Sequence, residues 1–137
     1  MADPIVISGK DLERLQALVD GTRGAKRVES ENLDRLEGEL ARAEIVEPKD
    51  VPADVVTMNS RVRLLDVERN ETMEFDLVYP ASADGAKGRV SILAPIGTAV
   101  LGFREGDTVT WPVPGGTRKL RIDRILFQPE REGRFDL

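Results

Sequence analysis

The side chains of this chain that could take part in chemistry are carboxylates, cations and hydroxyls, because it contains no histidine and no cysteine. That composition removes Cys and His nucleophiles, His general bases, zinc sites of the usual nitrogen and sulfur kind, and disulfides. Most hydrolase, redox and metal chemistries depend on those groups. We therefore expect a protein that binds a partner rather than an enzyme, with no catalytic residue, no metal site and no cofactor.

The first candidate binding cluster surrounds the glycine-punctuated segment 21–27, which carries three cations and is flanked by acids. Its members are Asp20, Arg23, Lys26, Arg27 and Glu29. The cations could contact an acidic protein surface or nucleic acid, or they could simply solubilise a loop. The acids could equally be solvated charges at helix ends. No aromatic residues interleave with the cations, so a platform for nucleic acid is not expected.

The second candidate is the segment formed by Leu93, Ala94, Pro95 and Ile96. Proline suits the first position of a helix, where its missing N–H costs nothing. The run 95–103 is too apolar for a loop and too rich in glycine for a strand, so we predict a short helix packed on a sheet. These four residues either present a surface at the start of that helix or only begin a core helix.

The elements that hold the first cluster are two helices within residues 8–44. Ser8 can cap the first, with Asp11 at its third position, and we expect Gly21 to end it. Ser30 can cap the second helix. Leucines and small apolar residues recur at helical spacing in both: Leu12, Leu15, Leu18, Val19, then Leu33, Leu36, Leu40 and Ala43. Two such stripes and a short turn predict an antiparallel helical hairpin, a short coiled coil with helices on the order of 20 Å long.

After a proline-bounded linker at 47–52, the apolar period changes from 3.6 to 2, which indicates strands. We predict an antiparallel sheet of about five strands over residues 53–128, with one short helix across it. Ile125 and Phe127 fall out of phase with Leu120 and Ile122, so a bulge is expected near Asp123. The fold class is therefore α+β: a helical hairpin over 1–49, a sheet domain over 50–128 and a mobile tail over 129–137.

Several motifs of the sheet region occur together in a consistent order. They are Asn59-Ser60-Arg61-Val62-Arg63-Leu64, then Ala94-Pro95-Ile96-Gly97-Thr98-Ala99-Val100-Leu101-Gly102, then Gly106-Asp107, then Pro114-Gly115-Gly116. In this order they resemble the C-terminal domain of the bacterial GreA/GreB transcript-cleavage factors, which has an FKBP-like fold. The hairpin is shorter than the coiled coil of Gre factors, and in this respect the chain resembles the Rnk branch of the family, regulators of nucleoside diphosphate kinase.

The resemblance implies that the partner is RNA polymerase. The chain would bind the largest polymerase subunits at the rim of the secondary channel. In Gre factors, acids at the hairpin tip help to hold a second Mg²⁺ for transcript cleavage; Asp20 is the residue here best placed to be such an acid. The segment 93–96 matches the turn that contacts the channel rim, with Ala94 in place of a serine. The short, mostly basic tip implies competition with Gre factors without cleavage, and only an indirect effect on nucleoside diphosphate kinase levels.

Alternatives remain open at this point: a true transcript-cleavage factor, a divergent FKBP-type prolyl isomerase, or a self-associating adaptor. Phe75, Tyr79 and Trp111 alternate along strands, which favours core packing over an isomerase pocket. The chain has 20 basic and 25 acidic residues and a net charge of −5, so sequence-specific nucleic-acid binding is not expected. No apolar run is long enough for a signal peptide or a membrane span, and we expect a cytoplasmic monomer with no membrane contact.

Overall fold

The computed structural model describes residues 5–25, 30–113, 115–134 and 137. The helical part consists of β1 (Val6–Ser8), α1 (Gly9–Ala25), α2 (Ser30–Arg42) and β2 (Glu44–Val46). The sheet part consists of β3 (Arg61–Asp66), β4 (Glu71–Val78), β5 (Arg89–Ser91), α3 (Pro95–Val100), β6 (Thr108–Val113) and β7 (Gly116–Phe127). Short 3₁₀ turns at Pro48–Asp50, Pro80–Ser82 and Gly85–Lys87 lie in the connections.

The first helix begins where the sequence predicts but extends further. The Asp11 N–H donates to Ser8 Oγ at 3.1 Å, so Ser8 caps α1. The helix then continues through Gly21 to Ala25, and the predicted end at Gly21 is wrong. Glycine costs only about 1 kcal/mol in a helix interior, which the continuing backbone hydrogen bonds offset. The remaining turn residues, 26–29, lie outside the described residues.

The second helix, α2, begins at Ser30 and ends at Arg42, so the predicted seam is confirmed for its leucines, whereas Ala43 follows the helix. Its three leucines, Leu33, Leu36 and Leu40, are all buried. They belong to the same continuous apolar cluster as Leu15 and Val19 of α1 and as the inward-facing residues of the sheet. The hairpin therefore shares one core with the sheet domain.

Two short strands that the sequence analysis did not predict close the base of the hairpin. β1 and β2 pair in parallel, with Val6 opposite Glu44 and Ser8 opposite Val46. The Glu44 N–H donates to the Ile5 carbonyl at 2.8 Å. Gly102 allows this base to approach the sheet domain, since a Cβ there would lie 2.3 Å from Ile5 Cβ. The chain thus enters α1 and leaves α2 from neighbouring points on the sheet domain.

The main sheet has five strands in the order β5-β4-β3-β7-β6, with α3 in the core on its inner face. The prediction of five strands and one helix is confirmed, but the sheet is mixed, because β5 pairs in parallel with β4. The connection 79–88 contains two 3₁₀ turns and carries the chain back along β4. As a result, β5 pairs with the end of β4 over only three residues. A period-2 apolar pattern is the same for parallel and antiparallel strands, so the direction of β5 could not be predicted from it.

The predicted bulge in β7 is confirmed. Arg63 lies opposite Arg124 while Leu64 lies opposite Ile122, so Asp123 is the extra residue on its strand. A second irregularity leaves Leu126 unpaired between Ile125 and Phe127. Together they keep Ile125 facing the core despite the slip in the sequence pattern.

The C-terminal segment, for which the sequence predicts mobility, makes defined contacts. Immediately before this segment, the Gln128 side chain is fully buried, and its Nε2 donates to the carbonyls of Pro52 and Val55 at 2.8 and 2.7 Å. Thr57 Oγ1 donates to Glu130 Oε1 at 2.8 Å, and Arg14 Nη1 donates to the Leu137 carbonyl at 3.0 Å. This segment therefore contacts both the sheet domain and α1.

Candidate partner-binding site

The predicted tip cluster is only partly described by the structure. Asp20 is exposed near the end of α1, and its Oδ1 accepts a hydrogen bond from Gln16 Nε2 at 3.3 Å. Arg23 lies in the last turn of α1 rather than in a loop. Lys26, Arg27 and Glu29 lie outside the described residues. The nearest apolar residues on either side, Val19 and Leu33, are both buried in the core.

The segment 93–96 joins β5 to α3 and includes the first two residues of that helix. Ser91 stabilises this segment through two hydrogen bonds. Its Oγ accepts from the Leu93 N–H at 3.0 Å, and its carbonyl accepts from the Ala94 N–H at 2.9 Å. Pro95, the first residue of α3, is exposed, whereas Ile96 is buried. Leu93, Ala94 and Pro95 therefore remain at the surface, whereas Ile96 packs into the core.

The start of α3 is held rigidly on β5. A Cβ on Gly97 would lie 2.6 Å from the Ser91 carbonyl oxygen, so only glycine permits this approach. Thr98 Oγ1 donates to the Ile92 carbonyl at 2.8 Å. Ala94 has the extended backbone of a helix cap, with φ −71° and ψ 146°, but has no side-chain acceptor to cap the helix. A partner would meet a preformed turn with little polar character of its own.

A polar junction that the sequence analysis missed lies at the base of α1. Asp11 is buried, and its Oδ1 accepts from the Tyr79 hydroxyl at 3.3 Å while its Oδ2 accepts from the Met58 N–H at 3.4 Å. The Arg14 guanidinium lies over the Tyr79 ring, 4.6 Å from its centre. The pattern after Ser8 indicated a helix-capping acid, but the carboxylate bonds to the sheet domain.

Burial dominates the electrostatics of this junction. The pKa of Asp11 is raised from 3.8 to about 6, mainly by burial and then by the nearby Glu130 carboxylate, while the Met58 N–H and Arg14 oppose the shift. Burial and the Asp11 charge also raise the pKa of the Tyr79 hydroxyl. Tyr79 is therefore a neutral hydrogen-bond donor that joins the sheet domain to α1.

The aromatic residues considered for an isomerase pocket have other neighbours. Phe75 is buried in the core, and Tyr79 contacts Asp11. The side chain of Trp111 lies outside what the structure describes. Within the described residues, no group of three or more acidic side chains could hold a metal ion, and no helix is long and apolar enough to cross a membrane.

Comparison with known proteins places both halves of the chain in one family. Residues 51–126 match the family "Transcription elongation factor, GreA/GreB, C-term", and residues 3–46 match the family "Rnk N-terminus". The chain is 37% identical to the regulator of nucleoside diphosphate kinase of Escherichia coli over 96% of its own length and 95% of that protein. It is 34% identical to the elongation factor GreA of Thermodesulfovibrio yellowstonii over 70% of this chain and 61% of that factor.

A solved structure gives the same answer. The prokaryotic transcription elongation factor GreA/GreB from Nitrosomonas europaea is 41% identical, with a TM-score of 0.75 over 92% of this chain and 100% of that one. The agreement extends over the hairpin as well as the sheet, because almost the whole chain is covered. A short hairpin joined to a GreA/GreB C-terminal domain is thus an arrangement shared with a solved relative. The chain belongs to the Rnk branch of the GreA/GreB transcription elongation factor family.

Proposed function

We propose that this chain is a transcription regulator that docks on RNA polymerase at the secondary channel, competes there with Gre factors and does not stimulate transcript cleavage. The sheet domain makes the docking contact through the turn at 93–96, and the hairpin tip enters the mouth of the channel. The chain acts as a binding protein and not as an enzyme. Any change in nucleoside diphosphate kinase levels follows indirectly, through transcription.

The observation that carries the proposal is the short free reach of the hairpin. α1 has 17 residues, and Val19 is its last described buried residue, so at most residues 20–25 of this helix extend beyond the core. Six helical residues span roughly 9 Å. Such a tip occupies an entrance, whereas delivering a carboxylate to a distant active centre needs a longer rod.

The chemistry of the tip supports the same conclusion. Holding a catalytic Mg²⁺ requires carboxylate oxygens placed together within a few ångströms. Of the tip residues that the structure describes, Asp20 alone carries an exposed carboxylate, and it is engaged with Gln16. The sequence adds Arg23, Lys26 and Arg27, which favour contact with an acidic surface of the partner.

The anchor is the rigid turn before α3. Its exposed Pro95 and half-buried Leu93 and Ala94 form a small apolar surface whose shape is fixed by Ser91 and Gly97. Preformed surfaces lose little conformational entropy on binding. With alanine at position 94, this contact depends on shape and apolar area rather than on a hydroxyl group.

The proposal is tested by binding of the fluorescently labelled chain to core RNA polymerase, with GreA as competitor. We expect mutual displacement. Pro95→Asp should weaken binding at least tenfold, because a charge replaces the apolar anchor. Pro80→Asp is the matched control, since Pro80 also begins a short turn after a strand of the same domain. No binding at micromolar concentration would contradict the proposal.

A transcript-cleavage assay on a backtracked complex separates this function from that of a cleavage factor. We expect no shortening of the transcript by the wild-type chain, and inhibition of GreA-stimulated cleavage at saturating concentration. Shortening that is lost in Asp20→Ala would instead identify a cleavage factor. The adaptor alternative is tested by sedimentation of the free chain, and the isomerase alternative by a peptide isomerisation assay.

A further inference from the structure

The outer face of the five-stranded sheet, opposite α3 and the core, carries a charge of opposite sign to the whole chain. Its residues alternate with buried ones along β3, β4 and β7 and are continued by their partners on β5 and β6. Six cations lie on this outer face: Arg61, Arg63, Arg89, Lys119, Arg121 and Arg124. Three carboxylates accompany them, from Glu74, Asp76 and Asp123. The face therefore has a local charge of +3 in a chain of −5.

A continuous chain of ion pairs fixes part of this face across three strands. Asp76 and Glu74 of β4 lie 3.2 and 3.7 Å from the guanidinium of Arg61. Arg63 then contacts Glu74 at 3.3 Å and Asp123 at 3.6 Å. These exposed pairs contribute little to stability. They do hold the guanidinium groups of β3 in position, which lowers the entropy that a partner's carboxylates would have to overcome.

Three cations of the face have no ion pair within the described part of the chain. Arg89 lies at the β5 edge, Lys119 near β6, and Arg124 in the middle of the sheet. Arg124 is the direct cross-strand partner of Arg63, and like charges in that position are destabilising. The positive charge of these three residues is therefore available to a partner.

The face also offers a recess for a side chain of a partner. A cavity of about 360 Å³ opens beside the edge strand β5 and is lined by Asp76, Arg89 and Phe127, among others. Phe127 is half-buried and lies opposite Arg61 on the outer side of the sheet. An aromatic floor with an unpaired arginine beside it is the kind of pocket in which interface residues contribute most.

The composition of the face favours protein over nucleic acid. Five of the six cations are arginines, whose planar groups pair with carboxylates in two-point contacts. The interspersed Glu74, Asp76 and Asp123 would repel a continuous phosphate backbone. A protein surface can meet them with its own cations while presenting acids to Arg89, Lys119 and Arg124. Among the side chains that the structure describes, no fully exposed aromatic residue lies on the face to stack on bases.

We propose that the outer face of the sheet is a second docking surface, which binds an acidic protein surface through Arg89, Lys119, Arg124 and the Phe127 recess. Because α3 and the turn at 93–96 are associated with the opposite side of the sheet, both surfaces are available at once. The chain can then bridge two protein surfaces. This inference stands independently of the polymerase proposal, since it depends only on the charges and the recess of the free chain.

The test is a titration of the ¹⁵N-labelled full chain with a 20-residue peptide of glutamates in which every fourth residue is lysine, followed by amide chemical shifts at 50 and 200 mM salt. We expect shifts confined to β3, β4, β5 and β7, with affinity falling severalfold at the higher salt. The double variant Lys119→Glu/Arg124→Glu should weaken binding at least tenfold. Both side chains lack ion pairs in the described structure, so the variant should fold.

The matched control is Lys49→Glu/Lys87→Glu, which changes the net charge equally at exposed positions outside these strands. Retention of binding by this control supports the proposal. An equal loss in both variants would overturn it, because net charge alone would then explain the binding. No shift with millimolar peptide at 50 mM salt would also overturn it. Tighter binding of a 20-nucleotide single-stranded RNA would overturn it in favour of a phosphate-binding face.

Discussion

Asp11 is an acid buried at the base of α1, and its charge at neutral pH acts against folding. With its pKa raised to about 6 in the folded chain, the neutral form is favoured by burial. The stabilisation associated with the bound proton is fully present below the unfolded pKa of 3.8 and is lost as the pH rises through about 6. The hydrogen bonds from Tyr79 and Met58 offset only part of this cost.

We predict that the free energy of unfolding falls by on the order of 1 kcal/mol when the pH rises from 5 to 7, because Asp11 loses its proton over this range. Urea unfolding at the two pH values measures this difference, and Asp11→Asn should reduce it by that amount. Tyr79→Phe is the control, because it removes one hydrogen bond but keeps the titrating carboxyl. An identical pH dependence in wild type and Asp11→Asn would show that Asp11 is not the titrating group.

Among the elements, α1 differs most from its sequence-based prediction. A Cβ at Gly21 would meet no atom within 4 Å, and the helix passes through this position without a positive φ. The helix end was misplaced because glycine is only a statistical signal for termination. Continuation depends on whether the following residues keep their backbone hydrogen bonds.

We predict that Gly21→Ala raises the free energy of unfolding by about 0.5–1 kcal/mol, because alanine restricts the unfolded chain and fits a helix. Thermal and urea unfolding would measure the gain. Gly102→Ala is the contrasting variant: its φ of +82° and the 2.3 Å approach to Ile5 Cβ predict a clear loss of stability. Destabilisation by Gly21→Ala would place Gly21 in a turn instead.

The α3 segment gives a second prediction at this scale. Ala94 has the backbone of a helix cap but no acceptor, so Ala94→Ser should stabilise the chain by roughly 0.5–1 kcal/mol. Ala94→Val, which adds bulk without an acceptor, is the control. Equal stability of Ala94→Ser and wild type in urea would show that the first N–H groups of α3 gain nothing from a hydroxyl group at this position.

Local patterns predicted most elements, and long-range pairing explains what they missed. The stripe Leu33, Leu36 and Leu40 predicted α2, and the phase slip before Ile125 predicted the bulge at Asp123. The β1–β2 pair was missed because three-residue strands have no measurable period. The Asp11–Tyr79 contact was missed because it joins residues 68 positions apart, and sequence periodicity carries no information about such pairs.

At the scale of the whole molecule, the hairpin and the sheet form one apolar core rather than two independent ones. Leu15, Val19 and Leu36 belong to the same cluster as Val62, Leu64 and Ile122. Arg35 Nη2 of α2 also donates to the Thr110 carbonyl on β6 at 3.4 Å. Domains that share a core unfold together, so the chain should behave as one cooperative unit.

We predict that Leu36→Ala lowers the free energy of unfolding by about 2–5 kcal/mol and shifts helix and sheet signals together. Far-ultraviolet circular dichroism follows the helices, and the fluorescence of Trp111, the single tryptophan, follows β6. Ala41→Gly, at an exposed position of the same helix, is the control for a purely local effect. Loss of the helical signal with an unchanged fluorescence midpoint would separate the hairpin from the sheet.

The parallel pairing of β1 with β2 has a consequence for how such proteins diversify. It fixes the entry and exit points of the hairpin side by side, so the register at the base does not depend on what lies between them. Whole helical turns can be inserted into or removed from both helices at the far end without disturbing the β1–β2 pair at the base. Hairpin length is thus a modular trait: a lineage can change how deeply its members probe a partner while leaving the docking domain unchanged.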